Sequence, residues 1–149
     1  MNSLKSICEG LGRGMADVIF EDNRIEVKDA IDDRINAVLE ECAGEMESAV
    51  KRKTRVATGQ TKNSFRHRVN TAIHEAYIGS NDINAVYEEY GTGEHALQGN
   101  GRKGGWVYKD AKGEYHRTFG KRPSRAFWNA YTSMKSKIIK RIENSLKGL

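Results

Sequence analysis

The chain has 149 residues, 38% of them hydrophobic and 30% charged, with a formal net charge of +5 and a mean hydropathy of −0.71. That length suits one ordinary domain with a small core. No stretch approaches the ~20 apolar residues that cross a bilayer, no continuous apolar run of a secretory signal is present, and two cysteines, Cys8 and Cys42, are too few for a disulfide framework. The expectation is a chain that matures where it is made, in a reducing compartment, with no membrane partner.

Residues 1–27 read as an N-terminal arm: Val18-Ile19-Phe20 has strand character, while Gly10, Gly12 and Gly14 oppose a helix before it. Residues 28–149 read as a single α+β domain. From Lys28 to about Lys53, apolar side chains recur at Ile31, Ile35, Val38, Leu39, Cys42, Met46, Ala49 and Val50, the spacing of a long amphipathic helix. At 1.5 Å per residue such a helix is roughly 37 Å long, so one end is expected to project beyond a small core. Asp29, Asp32 and Asp33 near its start and Lys51, Arg52 and Lys53 near its end complement the helix dipole. Cys42 falls on the apolar stripe and reads as a core residue.

The period then changes. Ser64–Val69 and Ala72–Ile78 alternate as strands and are expected to form a hairpin turning at Asn70-Thr71. Ile83, Val86, Tyr87 and Tyr90 share one face of a short helix that Gly91-Thr92-Gly93 ends. A second, protruding hairpin is expected from Gly105–Lys109 and Glu114–Phe119, joined by Asp110-Ala111-Lys112-Gly113. Pro123 suits the first position of a closing helix whose apolar stripe runs Phe127, Ala130, Tyr131, Met134, Ile138, Ile142 and Leu146, with Gly148 as its cap. The predicted architecture is a long N-terminal amphipathic helix, a small antiparallel β-sheet with a protruding hairpin, and a C-terminal helix.

Charge is unevenly placed along this order. Residues 1–57 carry 9 basic and 12 acidic side chains, a balance of −3, whereas residues 58–149 carry 16 and 8, a balance of +8. Oppositely charged surfaces that meet in copies of one protein fit this polarity, and so does a nucleic-acid surface with salt-dependent binding. No nucleic-acid signature accompanies the basic half, which favours protein contact.

Motifs of catalysis are weak. Gly99-Asn100-Gly101-Arg102-Lys103-Gly104 has the spacing of a dinucleotide loop, but a strand-like segment follows it where that loop requires a helix. It reads instead as a flexible loop. His67, His74, His95 and His116 lie apart without metal-ligand spacing; a two-strand site from His67 and His74 is the sole pairing to weigh. Glu88 and Glu89 are adjacent and diverge by about 100° on a helix, so they do not form an acid/base pair; Glu89 reads as a structural or interface carboxylate. No catalytic residue, cofactor or metal is expected.

Between Arg102 and Trp128 aromatic and basic residues interleave. Protein interfaces are enriched in Trp, Tyr and Arg, single-strand nucleic-acid binders combine stacking faces with charge, and a half-buried sheet with a solvated basic face has the same composition. On position and chemistry, the expected contact residues are Tyr90, Arg102, Lys103, Trp106, Tyr108, Tyr115, Lys121, Arg122 and Arg125.

Three stretches in order carry a resemblance. Val56-Ala57-Thr58-Gly59-Gln60-Thr61-Lys62-Asn63-Ser64 is similar to V-x-T-G-x-L-x-x-S, Ile78-Gly79-Ser80 followed by Ala85–Gly93 to Y-A-x-x-x-E-F-G-T-G, and Gly105-Trp106-Val107-Tyr108 through Gly120–Phe127 to the G-x-x-P-x-P-F-L approach to the last helix. Thr61, Tyr90 and Arg125 stand where that pattern has Leu, Phe and a second Pro. The set resembles the small neck or tail-completion proteins of tailed bacteriophages, the gene-product-ten-like family of a lambdoid phage, over about residues 28–147. The resemblance implies a structural virion protein, made in the host cytoplasm and placed in the virion neck or tail. It implies a ring, with six copies expected, at the head-tail junction. Its implied partners are itself, a connector or head-completion protein, a tail terminator or tail tube protein, and genomic DNA that passes the lumen without tight binding. Removing Trp106, or reversing Lys121 and Arg122 to Glu, is expected to weaken assembly more than folding. A basic nucleic-acid-binding module is the alternative.

Overall fold

The computed structural model describes residues 22–56 and 58–147; the expectations for the N-terminal arm up to residue 21 and for Gly148 lie outside the described residues. The elements in order are α1 (Arg24–Lys53), α2 (Gln60–Ser64), β1 (Phe65–Asn70), β2 (Glu75–Ser80), α3 (Ile83–Tyr90), a 3-10 turn (Gly93–His95), β3 (Trp106–Lys109), β4 (Tyr115–Thr118) and α4 (Ala126–Leu146). The chain is α+β, with a long N-terminal helix, antiparallel hairpins and a C-terminal helix. The hairpins stay apart as two two-stranded sheets and do not merge into one.

α1 begins a turn earlier than its apolar stripe indicates, so residues 24–27, read as arm, are helical. Asp22 supplies the start: its carboxylate accepts the Arg24 N–H at 3.2 Å and pairs with the Arg24 guanidinium. The buried face comprises Cys42, Ala43, Met46, Ala49 and Val50, all in the C-terminal half. Residues 24–30 are exposed throughout, which is the projecting end. Thr54 closes the helix, its buried hydroxyl donating to the Val50 carbonyl at 2.8 Å.

α4 lies back along the C-terminal half of α1. Ala130 meets Met46, Ala49, Val50 and Phe65 in the core, with Ile78, Ala85, Phe127, Met134 and Ile138 packed around them. Farther along, Arg141 Nη1 reaches Glu45 at 2.6 Å and Lys137 reaches the same carboxylate at 3.1 Å. Cys42 is buried as expected, and burial pushes its thiol pKa up, away from thiolate reactivity.

The first hairpin pairs Phe65 with Ser80 through to Asn70 with Glu75. Phe65, His67 and Val69 alternate inward toward α1, and Arg66 and Arg68 outward. Its turn is longer than the expected Asn70-Thr71: residues 71–74 leave the ladder, and Ala72 and Ile73 belong to the turn. α1 causes this. The His74 ring is held by Asn36 Oδ1 at 2.9 Å and faces Asp32 at 3.4 Å, and His74 takes φ 53° to reach them.

α4 starts at Ala126, three residues after Pro123. The delay has a cause: the Ser124 amide and hydroxyl both donate to the Glu88 carbonyl, at 2.7 and 3.1 Å, tying this segment to α3. The chain then turns through Arg125 at φ 52° before the helix can begin.

Candidate assembly interface

The three motif stretches meet in space. Thr61 Oγ1 donates to Asp82 Oδ2 at 2.8 Å and Ser64 Oγ lies 2.5 Å from Ser80 Oγ, joining the first stretch to the second. Asp82 also caps α3 by accepting the Asn84 N–H, and these bonds hold its carboxyl below the usual range. The second stretch then joins the third. Glu88 is buried and pairs with Lys121 Nζ, leaving its other oxygen without a partner among the described residues. Glu89 accepts the amides of Phe127 at 2.8 Å and Trp128 at 2.9 Å, so α3 supplies the N-terminal cap that Arg125 does not. Glu89 is a structural carboxylate.

Backbone contacts complete this junction. Thr92 N–H donates to the Lys121 carbonyl and Glu94 N–H to the Phe119 carbonyl, each at 2.9 Å, and Thr92 Oγ1 accepts the Lys121 N–H at 2.8 Å. The two segments approach so closely that only glycine fits at two positions. A Cβ on Gly93 (φ 60°) would run into the Phe119 carbonyl and the Trp106 ring, and one on Gly120 (φ 112°) into the Thr92 carbonyl. Gly101 presses on the Gly93 carbonyl in the same way, and the Gly104 amide is held by Glu94 at 3.0 Å. The Gly99–Gly104 run is therefore anchored at two points rather than free along its length. β3, not a helix, follows it, so the dinucleotide context is lacking.

From the junction projects the β3–β4 hairpin, with Trp106 opposite Thr118 and Lys109 opposite Tyr115. Its side chains pair with one another. Arg102 lies 5.7 Å from the Trp106 ring centroid, Lys109 5.6 Å from Tyr115 and Arg117 5.2 Å from Phe119, while Tyr108 and His116 stack at 5.6 Å. Val107, Tyr108, Tyr115 and Phe119 remain exposed, Tyr115 to 73%.

The expected contact residues thus separate into groups. Arg102, Lys103, Tyr108 and Tyr115 stand on or beside the hairpin and are exposed. Tyr90 lies elsewhere, at a groove with Phe127, Trp128 and Tyr131, and Arg125 stands near it, 5.2 Å from the Trp128 centroid. The Arg122 side chain is exposed, while its carbonyl accepts from Arg55 at 3.2 Å. Lys121 and Trp106 serve the fold: the ammonium answers buried Glu88, and the half-buried indole packs on Gly93. Reversing Lys121 sets two carboxylates face to face, so neither it nor Trp106 separates assembly from folding.

Two of the histidines, His67 and His74, anchor the first hairpin to α1. His67 does not pair with His74. Its Nδ1 lies 2.5 Å from Glu47 and its Nε2 3.0 Å from Glu40, both on α1. The Glu47 carboxylate raises the His67 pKa, with Glu40 adding to it, while Lys51 and then His67 bring Glu47 down to about 2. Asp110, Glu114 and His116 bring ligand-type atoms within 4.8 Å of one another at the tip of the second hairpin. Sequence spacing did not single them out because the turn itself closes the group. Asp110 Oδ1 accepts the amides of Lys112 and Glu114, both at 2.9 Å, and Oδ2 faces His116 at 3.0 Å, so its oxygens already build the turn. Among the described residues no helix is long and apolar enough to cross a membrane. No family model, curated protein or solved structure matches the chain.

Proposed function

We propose that this is a non-enzymatic structural protein of a tailed-phage virion, forming a ring at the head-tail junction that completes the tail or joins it to the head. One observation carries the reading: an exposed aromatic and basic hairpin is launched from a compact body by the junction in which the motif stretches meet. A subunit that works by geometry needs a rigid body and a separate surface for its neighbours. The charge polarity of the chain supports contacts of unlike surfaces from copy to copy. The nucleic-acid alternative shares the exposed aromatic rings and cations of this hairpin, and the salt dependence of DNA binding separates the two readings.

The test is the mass of the purified chain in solution, by light scattering across protein and salt concentration, with and without duplex DNA. A hexamer-sized species, or a monomer that ignores DNA yet binds phage connector or tail preparations, is the expected result. A salt-sensitive DNA complex of a monomer or dimer overturns the reading.

A further inference from the structure

A groove of about 480 Å³ opens between the far end of the first hairpin, α3 and the start of α4. Buried Phe65 and half-buried Phe127 line it, and Val86, Tyr90, Trp128 and Tyr131 stand around it, each between 41% and 50% exposed. Its carboxylate, Glu89, is occupied by the α4 amides, which leaves an apolar slot. β2 borders the slot at Gly79 and Ser80. Among the described residues the outer edge of β2 has no strand partner. An open edge beside an apolar, aromatic slot suits an extended segment that adds to the sheet and inserts alternate side chains.

We propose that the occupant is Asp17-Val18-Ile19-Phe20-Glu21 of a second copy of this chain. In an extended segment Val18 and Phe20 fall on one face and Ile19 on the other, which supplies two apolar anchors side by side. Asp17 and Glu21 flank these anchors, and Arg125, seated over Trp128, brings the opposite charge to the groove.

Reach identifies the donor as another copy. The groove lies beside Phe65, which packs with Val50, and the helix from Arg24 to Val50 is roughly 39 Å long. Val18 precedes Arg24 by about six residues and extends at most ~21 Å from it. The segment falls short of its own groove, whereas a neighbour's groove has no such limit. Donor and acceptor therefore sit at opposite ends of one molecule, a heterologous contact that repeats from copy to copy. This deepens the ring reading and rests on it.

Phe20→Asp and Val86→Asp, made separately in the full chain, test the contact at concentrations where the wild type assembles. Both are expected to keep the thermal midpoint of the dissociated wild-type chain, since residue 20 precedes α1 and Val86 is 49% exposed. Each alone is expected to weaken self-association by about thirtyfold or more, the loss of a central apolar anchor or the entry of a charge into its pocket. Mixed in equal amounts, the intact segment of the Val86→Asp variant enters the intact groove of the Phe20→Asp variant, giving a 1:1 complex that grows no further. With those midpoints kept, wild-type assembly by either single variant, or no complex in the mixture, overturns the proposal and leaves the ring reading standing. A wild-type chain that neither self-associates nor binds connector or tail preparations removes both.

Discussion

The body and the second hairpin are held by different physics. In the body, α1, α4 and the first hairpin enclose a small apolar core centred on Val50, Phe65 and Ala130, so side-chain volume decides its stability. The hairpin unit has almost no such core. It is fastened by backbone contacts at Gly93, Gly101 and Gly120 and by ion pairing at Glu88 and Lys121, and it turns Tyr108, Tyr115 and Phe119 outward. The difference teaches that the two parts tolerate different changes: the outer face of the hairpin is free to vary in size and chemistry while its three close-packed glycines are not. The outer face of a hairpin built this way is uncoupled from the stability of the domain that carries it.

The comparison breaks most severely at the core. Phe65→Ala is expected to cost about 3–5 kcal/mol and to lower the denaturation midpoint of the whole domain, read by chemical unfolding. Gly120→Val is next, at about 3 kcal/mol from positive-φ strain and overlap with Thr92. Hydrogen exchange should show the amides of residues 92–94 and 106–121 losing protection while those of α1 keep theirs; equal loss in both regions would erase the distinction. Glu89→Ala removes the acceptor of two α4 amides and is expected to cost about 1–2 kcal/mol, seen as a lower thermal midpoint and fraying confined to residues 126–129.

pH separates the regions more gently. His67 has a raised pKa, so its contribution is full below its ordinary value of 6.5 and is lost as pH rises through the elevated one. Glu47 is lowered from 4.5 to about 2, so its contribution is full above 4.5 and is lost as pH falls toward 2. Attachment of the first hairpin to α1 is therefore expected to be strongest between about pH 5 and 6. A thermal midpoint measured against pH should show this maximum, and His67→Gln should flatten its alkaline side. The smallest effect on stability belongs to Tyr115→Ala, within about 0.5 kcal/mol because the side chain is exposed. Its mark should be on assembly, as a smaller species in light scattering, with the thermal midpoint of the dissociated chain unchanged.

The long helix, α3 and both hairpins were legible in the amino-acid order because each writes its period or its turn residues within a short stretch: Ile83 to Tyr90 is helical to the residue expected. The same holds for burial of Cys42 and for Glu89 as a structural group. What the order did not disclose depends on partners distant in sequence. The start of α4 is moved from Pro123 to Ala126 by Glu88 and Glu89, the first turn is lengthened by Asn36, and the exposed Lys121 pairs with Glu88 while half-buried Trp106 packs on Gly93. α2, over residues 60–64, was also missed, since its cross-links to Ser80 and Asp82 involve residues 16 and 21 positions away. The sequence alone determined the two long helices, α3 and the two hairpins and roughly where they lie, because local propensity and periodicity act over a few neighbouring residues. Only the tertiary structure decided where those elements stop, which charges are paired and which aromatic faces remain open, because those outcomes depend on contacts that exist only once distant segments have packed.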